Sequence, residues 1–87
     1  DFYRIHVLLV AIEGKVIPQF TVKIWYESSP ETWELMQTRT CRKEFHTELP
    51  EANYEFVFEV KKWLFFKKKI VKTICLNKNI EERIIIK

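Results

Sequence analysis

The side chains in this sequence that could do chemistry are two histidines, two cysteines, a Ser-Ser pair and scattered glutamates. Nucleophilic catalysis needs a base within hydrogen-bond reach of the attacking Ser or Cys. Ser28-Ser29 has no nearby His and Asp in a recognisable order, and the only aspartate is Asp1. His6 falls on the mixed face of a predicted strand and His46 on the outward face of a short one, so both read as surface or edge histidines. Cys41 and Cys75 form no CxxC and lie far from both histidines in sequence, which gives no metal-ligand spacing. They read as two reduced thiols, each a small hydrophobe. The alternative is one disulfide between two strands, closing a loop of about 35 residues and contributing roughly 3–4 kcal/mol. Glu55, Glu59 and Lys61 alternate along a strand as one solvated face with cross-strand ion pairs. No catalytic residue, cofactor or metal is assigned.

One segment does suggest binding. Lys61, Lys62, Trp63, Leu64, Phe65, Phe66, Lys67, Lys68 and Lys69 combine five lysines with three aromatics. As a contact surface, its aromatics would stack on bases or sugars or enter a membrane interface while its lysines meet phosphates. As a structural device, Trp63 with Phe65 or Phe66 would plug the open end of a sandwich, and the lysines would keep an edge soluble. Trp25 and Trp33 fall off the predicted core face, and with Trp63 they would form an apolar patch for a neighbouring domain or subunit.

These side chains must be positioned by a small framework. Eighty-seven residues make one domain, 1–87, and 47% hydrophobic with 15% aromatic residues is enough to build a core. A net charge of +3 is too mild to imply nucleic acid by itself. Lys and Glu dominate the charge and Gln is scarce, a thermophile-like composition. No run approaches the roughly 20 apolar residues of a membrane-spanning helix, and no signal peptide is legible. The abrupt start and finish in strand suggest a processed protein or an excised domain.

Period-two alternation is the main local signal. It predicts strands over 3–11, 20–27, 45–49, 54–60, 70–76 and 80–86. Turns are expected around Gly14, at Pro50 to Asn53 and at Asn77 to Asn79. The stretch 31–43 is ambiguous. Ser29 as N-cap with Pro30 after it would open a helical turn, and the stretch reads as a loop or short helical turn followed by a strand from about 34 to 41. Seven short β segments with turn signals about every 8–12 residues predict an all-β, antiparallel two-sheet sandwich of immunoglobulin-like or prealbumin-like type.

"GKVIPQFTVKIW" at 14–25 and "TRTCRKEFHTELPEANYEFVFEV" at 38–60 resemble the carboxypeptidase regulatory-like and transthyretin-like domains. Gly14, Ile17, Pro18, Val22 and Ile24 match the first half of that pattern. Thr38, Thr40, Phe45, Leu49, Pro50, Tyr54, Phe56 and Phe58 match the second. Residues 70–76 and 80–86 fit its closing pair of strands. The sequence departs in having Arg42-Lys43-Glu44 where the family often has Asn-Gly, and Ala52-Asn53 where it has a glycine. One enzymatic branch of the group hydrolyses a purine breakdown product with histidines, an arginine and a characteristic tail. His6 and His46 lack matching partners and the tail is absent, so that activity is not carried over.

The resemblance implies a non-enzymatic structural or adhesion module at a cell surface or in an extracellular assembly, with the cytoplasm left open. Its partners would be other protein domains or copies of itself. The alternative is a domain for nucleic acid or another anionic surface, working through 61–69.

Overall fold

The computed structural model describes residues 1–61 and 67–87. Seven strands follow one another among them: β1 (Phe2–Ala11), β2 (Gln19–Ser29), β3 (Thr32–Arg42), β4 (Glu44–Pro50), β5 (Ala52–Lys61), β6 (Lys67–Leu76) and β7 (Ile80–Ile86). They form a three-stranded sheet, β4-β1-β7, and a four-stranded sheet, β3-β2-β5-β6. The expected all-β, two-sheet sandwich is therefore the observed architecture.

Alternation puts the core where the sequence predicts it. Ile5, Val7 and Leu9 of β1, Phe20, Val22 and Ile24 of β2, and Tyr54, Phe56, Phe58 and Val60 of β5 are buried. From β4, Phe45 and Leu49 join them. The Phe45 ring, from the three-stranded sheet, meets Phe56 and Phe58 of the other sheet at centroid separations of 5.7 and 6.0 Å. Such tilted pairs contribute about 0.5–1.5 kcal/mol each beyond area burial. No polar or charged residue is buried among the described residues. The second face of β1 turns from polar to covered along its length, as expected. Val10 is buried because the chain returns after Gly14 and Val16 bridges back to it. Gly14 sits at φ 95°, and its N–H donates to Ala11 O at 2.8 Å. This is a three-residue hairpin loop closed by a glycine at positive φ.

Three features differ from the sequence reading. First, Ser29-Pro30-Glu31 starts no helical turn. Ser29 pairs with Thr32, and Pro30-Glu31 is the two-residue loop of a β2–β3 hairpin. Glu31 takes φ 63°, and its N–H reaches Glu27 Oε2 at 3.3 Å. Second, β6 begins at Lys67, so Lys67, Lys68 and Lys69 belong to a strand rather than to a long connection. Third, one ladder is parallel, because β7 runs alongside β1 from Ile5↔Ile80 to Ala11↔Ile86. These strands are at opposite ends of the chain, so the other five strands serve as the crossover that a parallel pair needs. Of the two readings of the cysteines, the pair of free thiols is the one observed, and the disulfide alternative does not form. Cys41 lies on β3 and Cys75 on β6, the two outer strands of one four-stranded sheet. Three strand spacings of about 4.8 Å separate them, well beyond the roughly 7 Å limit for a bridge.

Tyr54 fixes the crossing between sheets. The chain leaves β4 at Pro50 and enters β5 at Ala52. The Tyr54 hydroxyl donates to Pro50 O at 2.7 Å, the arrangement called a tyrosine corner in immunoglobulin-type sandwiches. The open long sides are closed by inward-pointing cations. On one side, the Arg39 guanidinium of β3 lies 5.4 Å over the Phe45 ring of β4. On the other, Lys72 of β6 meets Glu82 of β7 at 3.2 Å.

Candidate functional site

The outward face of β3-β2-β5-β6 carries the surface feature that the fold itself does not use. Strand register arranges it in rows. Trp25 of β2 stands between Leu35 of β3 and Glu55 of β5, and Glu55 faces Thr73 of β6. In the next row Lys23, Val57 and Val71 are neighbours. Trp33 lies opposite Glu27 and therefore diagonal to Trp25, within reach of a large side chain. The sequence reading put Trp25 and Trp33 off the core face, and the sheet brings them together on this one. Each is half-buried, while Leu35 and Val71 are 49% and 54% exposed. Val57 points outward yet is only 8% exposed, because its row neighbours cover it.

Leu35 and Met36 were not singled out in the sequence. The register shifts between Ile24 and Trp25, leaving Met36 as an extra residue on β3. That bulge interrupts the alternation that would have revealed Leu35 as outward-facing. The same face is polarised along its strands. Glu27 and Glu55 lie toward the Pro30 hairpin, and Lys61, Lys67 and Lys69 lie toward the other end, where Glu59 faces Lys69 and meets Lys23 at 3.7 Å. Lys61 and Lys67 are directly opposite each other and exposed; Lys68 and Lys69 are also exposed, opposite Val60 and Glu59. Lys62, Trp63, Phe65 and Phe66, which completed the proposed interaction segment, lie outside the described residues.

A second cluster sits on the outward face of the other sheet. His6 of β1 has His46 of β4 opposite it on one side and Glu81 of β7 on the other. Its Nε2 lies 3.2 Å from Glu44 Oε2 and its Nδ1 lies 3.5 Å from Glu81 Oε1. Two carboxylates facing two ring nitrogens favour the doubly protonated imidazolium, since each nitrogen must then donate. The hydrogen bond to Glu44 is the main cause of a raised His6 pKa. Partial burial opposes it, and the charge of Glu44 and the contact with Glu81 add to it. His46 meets the His6 ring edge-on at 5.8 Å. Among the described residues no group of three or more His, Cys, Asp or Glu is arranged to hold a metal ion. The cluster joins all three strands of its sheet.

At the end of the sandwich near Gly14, a groove of about 740 Å³ runs between Ile17, Phe20, Val60 and Ile86, with Glu13, Glu59, Lys61 and Lys67 among its lining residues. Lys61 and Lys67 flank residues 62–66 in the chain. Burial pushes the Cys41 thiol up from its ordinary pKa, which suits an inert core residue rather than a nucleophile. Comparison with family models, with curated proteins and with solved structures found no match.

Proposed function

We propose that this chain is a non-enzymatic β-sandwich module of carboxypeptidase regulatory-like or transthyretin-like type, acting through protein contacts in a cell-surface or extracellular assembly. The supporting observation is the outward face of the four-stranded sheet. There Trp25, Trp33 and Leu35 lie close together beside exposed Met36, with Val57 and Val71 in the next row and Lys23, Glu27 and Glu55 among them. Exposed aromatic and Met side chains are enriched at protein interfaces. The family reading is supported by where its motif residues fall. Gly14 is in a turn, Pro18 precedes β2, and Val22, Ile24, Phe45, Leu49, Tyr54, Phe56 and Phe58 are all inward and buried. The ionisable side chains with partners are used to join strands or sheets, as at Lys72–Glu82 and His6–Glu44.

A second reading rests on Lys61, Lys67, Lys68 and Lys69, exposed together at one end. It is binding to nucleic acid or another anionic surface. Sedimentation over a range of concentrations, at low and high salt, tests the first reading. Association should persist at high salt and disappear in Trp25→Ser. A chain that stays monomeric, but binds an oligonucleotide with an affinity falling steeply in salt, would establish the second reading instead.

A further inference from the structure

We propose that the free edge of β7 takes one further strand: an extended peptide segment of another protein, apolar at alternate positions and with an acidic residue among them. This edge is a different surface from the contact face above and does not depend on it. The two sheets are unequal. The sheet of β4, β1 and β7 is one strand narrower than the sheet of β3, β2, β5 and β6, a shortfall of about 4.8 Å. Burial shows where that shortfall is apolar. Inward Phe45 and Leu49 of β4 are buried. On the opposite side, Ile80 and Ile84 of β7 and Ile70 and Ile74 of β6 pack on the core but are only half-buried. At the β3 edge the inward residues left open are the polar Gln37 and Arg39. The missing fourth position therefore lies beside β7 and above β6.

The surroundings define what fits there. Among the described residues β7 pairs with β1 alone, so its other edge offers N–H and C=O groups to an added strand. Every second side chain of that strand would cover the four isoleucines. Lys68 and Lys72 of β6 point into the same space, since Lys68 stands opposite inward Val60 and Lys72 opposite inward Phe56. Lys72 is held by Glu82 at 3.2 Å. Lys68 has no ion-pair partner among the described residues, and an acidic side chain is the complement it lacks. The Lys72–Glu82 pair deters a wholly apolar strand. A second sandwich does not fit, because joining two β7 edges would drive the two underlying β6 strands into each other. A single extended segment meets no such obstacle.

Short capped peptides test this: one alternates valine with threonine and has one valine replaced by glutamate, and its twin has lysine in that place. Fluorescence polarisation reads binding, and amide hydrogen exchange reads where the peptide sits. The glutamate peptide should bind about fivefold or more tightly than the lysine peptide. The order should reverse on Lys68→Glu, whose folding is verified by a circular dichroism melt. New protection should appear in β7 and not in β3 or β4. Methylating the peptide's backbone nitrogens at one alternate set of residues should abolish binding, and at the other set leave it within about threefold, because only one edge of the peptide faces β7. No binding by either peptide overturns the proposal. So does protection confined to β3 or β4, or an affinity indifferent to the peptide's charge. Self-association of the protein alone, with β7 protected, would put a second copy there and overturn the peptide partner.

Discussion

Single residues decide how the two sheets are joined. Tyr54 supplies a phenol to the core and a hydroxyl to Pro50 O at the crossing from β4 to β5. Removing only the hydroxyl leaves packing intact and strands the carbonyl, so Tyr54→Phe should cost about 1 kcal/mol in a urea unfolding curve with unchanged slope. A cost near zero would show that water satisfies that carbonyl equally well. His6 makes stability depend on pH. Its folded pKa is raised above the ordinary 6.5, so the folded state holds the proton more tightly than the unfolded chain. Its contribution is therefore complete below the unfolded value and is lost as pH rises through the folded one. The stability difference between the parent and His6→Gln should be largest near about pH 5.5 and should fade toward about pH 8.5. A difference that grows with pH would reverse the assignment. None of this was legible in the sequence. Glu44 is 38 residues from His6, and only the register of three strands brings His6, Glu44 and Glu81 together. The inward residues, by contrast, were legible, because one side chain in two must point at the core whatever the strands pair with.

Strands and hairpins carry the features that local sequence signals misread. Ser28-Ser29-Pro30-Glu31 has the composition of a helix start, and the tertiary pairing of β2 with β3 overrides it. The outcome is Glu31 at φ 63°, a backbone region where a side chain costs roughly 1–2 kcal/mol. Glycine has no such penalty but gives back part of the gain as chain entropy. Glu31→Gly should thus raise stability by about 0.5–1 kcal/mol, measured as a higher urea midpoint; a lower midpoint would mean that the Glu31 side chain is itself a stabilising element. The exposed edges are protected by charge. Lys72 points inward at the rim of β6 and is held by Glu82, so a neighbouring chain cannot add a flat apolar strand there. Lys72→Val should retain the fold and aggregate at lower concentration than the parent, as read by light scattering. Equal solubility would show that the edge is guarded by something else.

The whole molecule is one core between two sheets, and it should open as one unit. Cys41 is buried and Cys75 exposed on the far strand of the same sheet. An alkylating reagent should modify Cys75 in the native protein and Cys41 only at the rate of unfolding, giving two well-separated mass increments. Simultaneous labelling of both would mean that β3 detaches from the sandwich by itself. At this scale the seven-strand class was readable from spacing, but the pairing order was not. Period-two alternation says which face of a strand is greasy and nothing about its neighbour, so the parallel placement of β7 beside β1 came only from the fold.

That placement also determines how the molecule would respond to tension. β1 and β7 run parallel, so β1 starts at one end of their ladder and β7 finishes at the other, with Ile86 beside Ala11. Pulling the two termini apart would therefore slide these strands lengthwise past each other. All the bonds of the ladder would bear the load together, where an antiparallel pair gripped at one end would unzip bond by bond. The geometry makes the molecule a stiff link in line with the force.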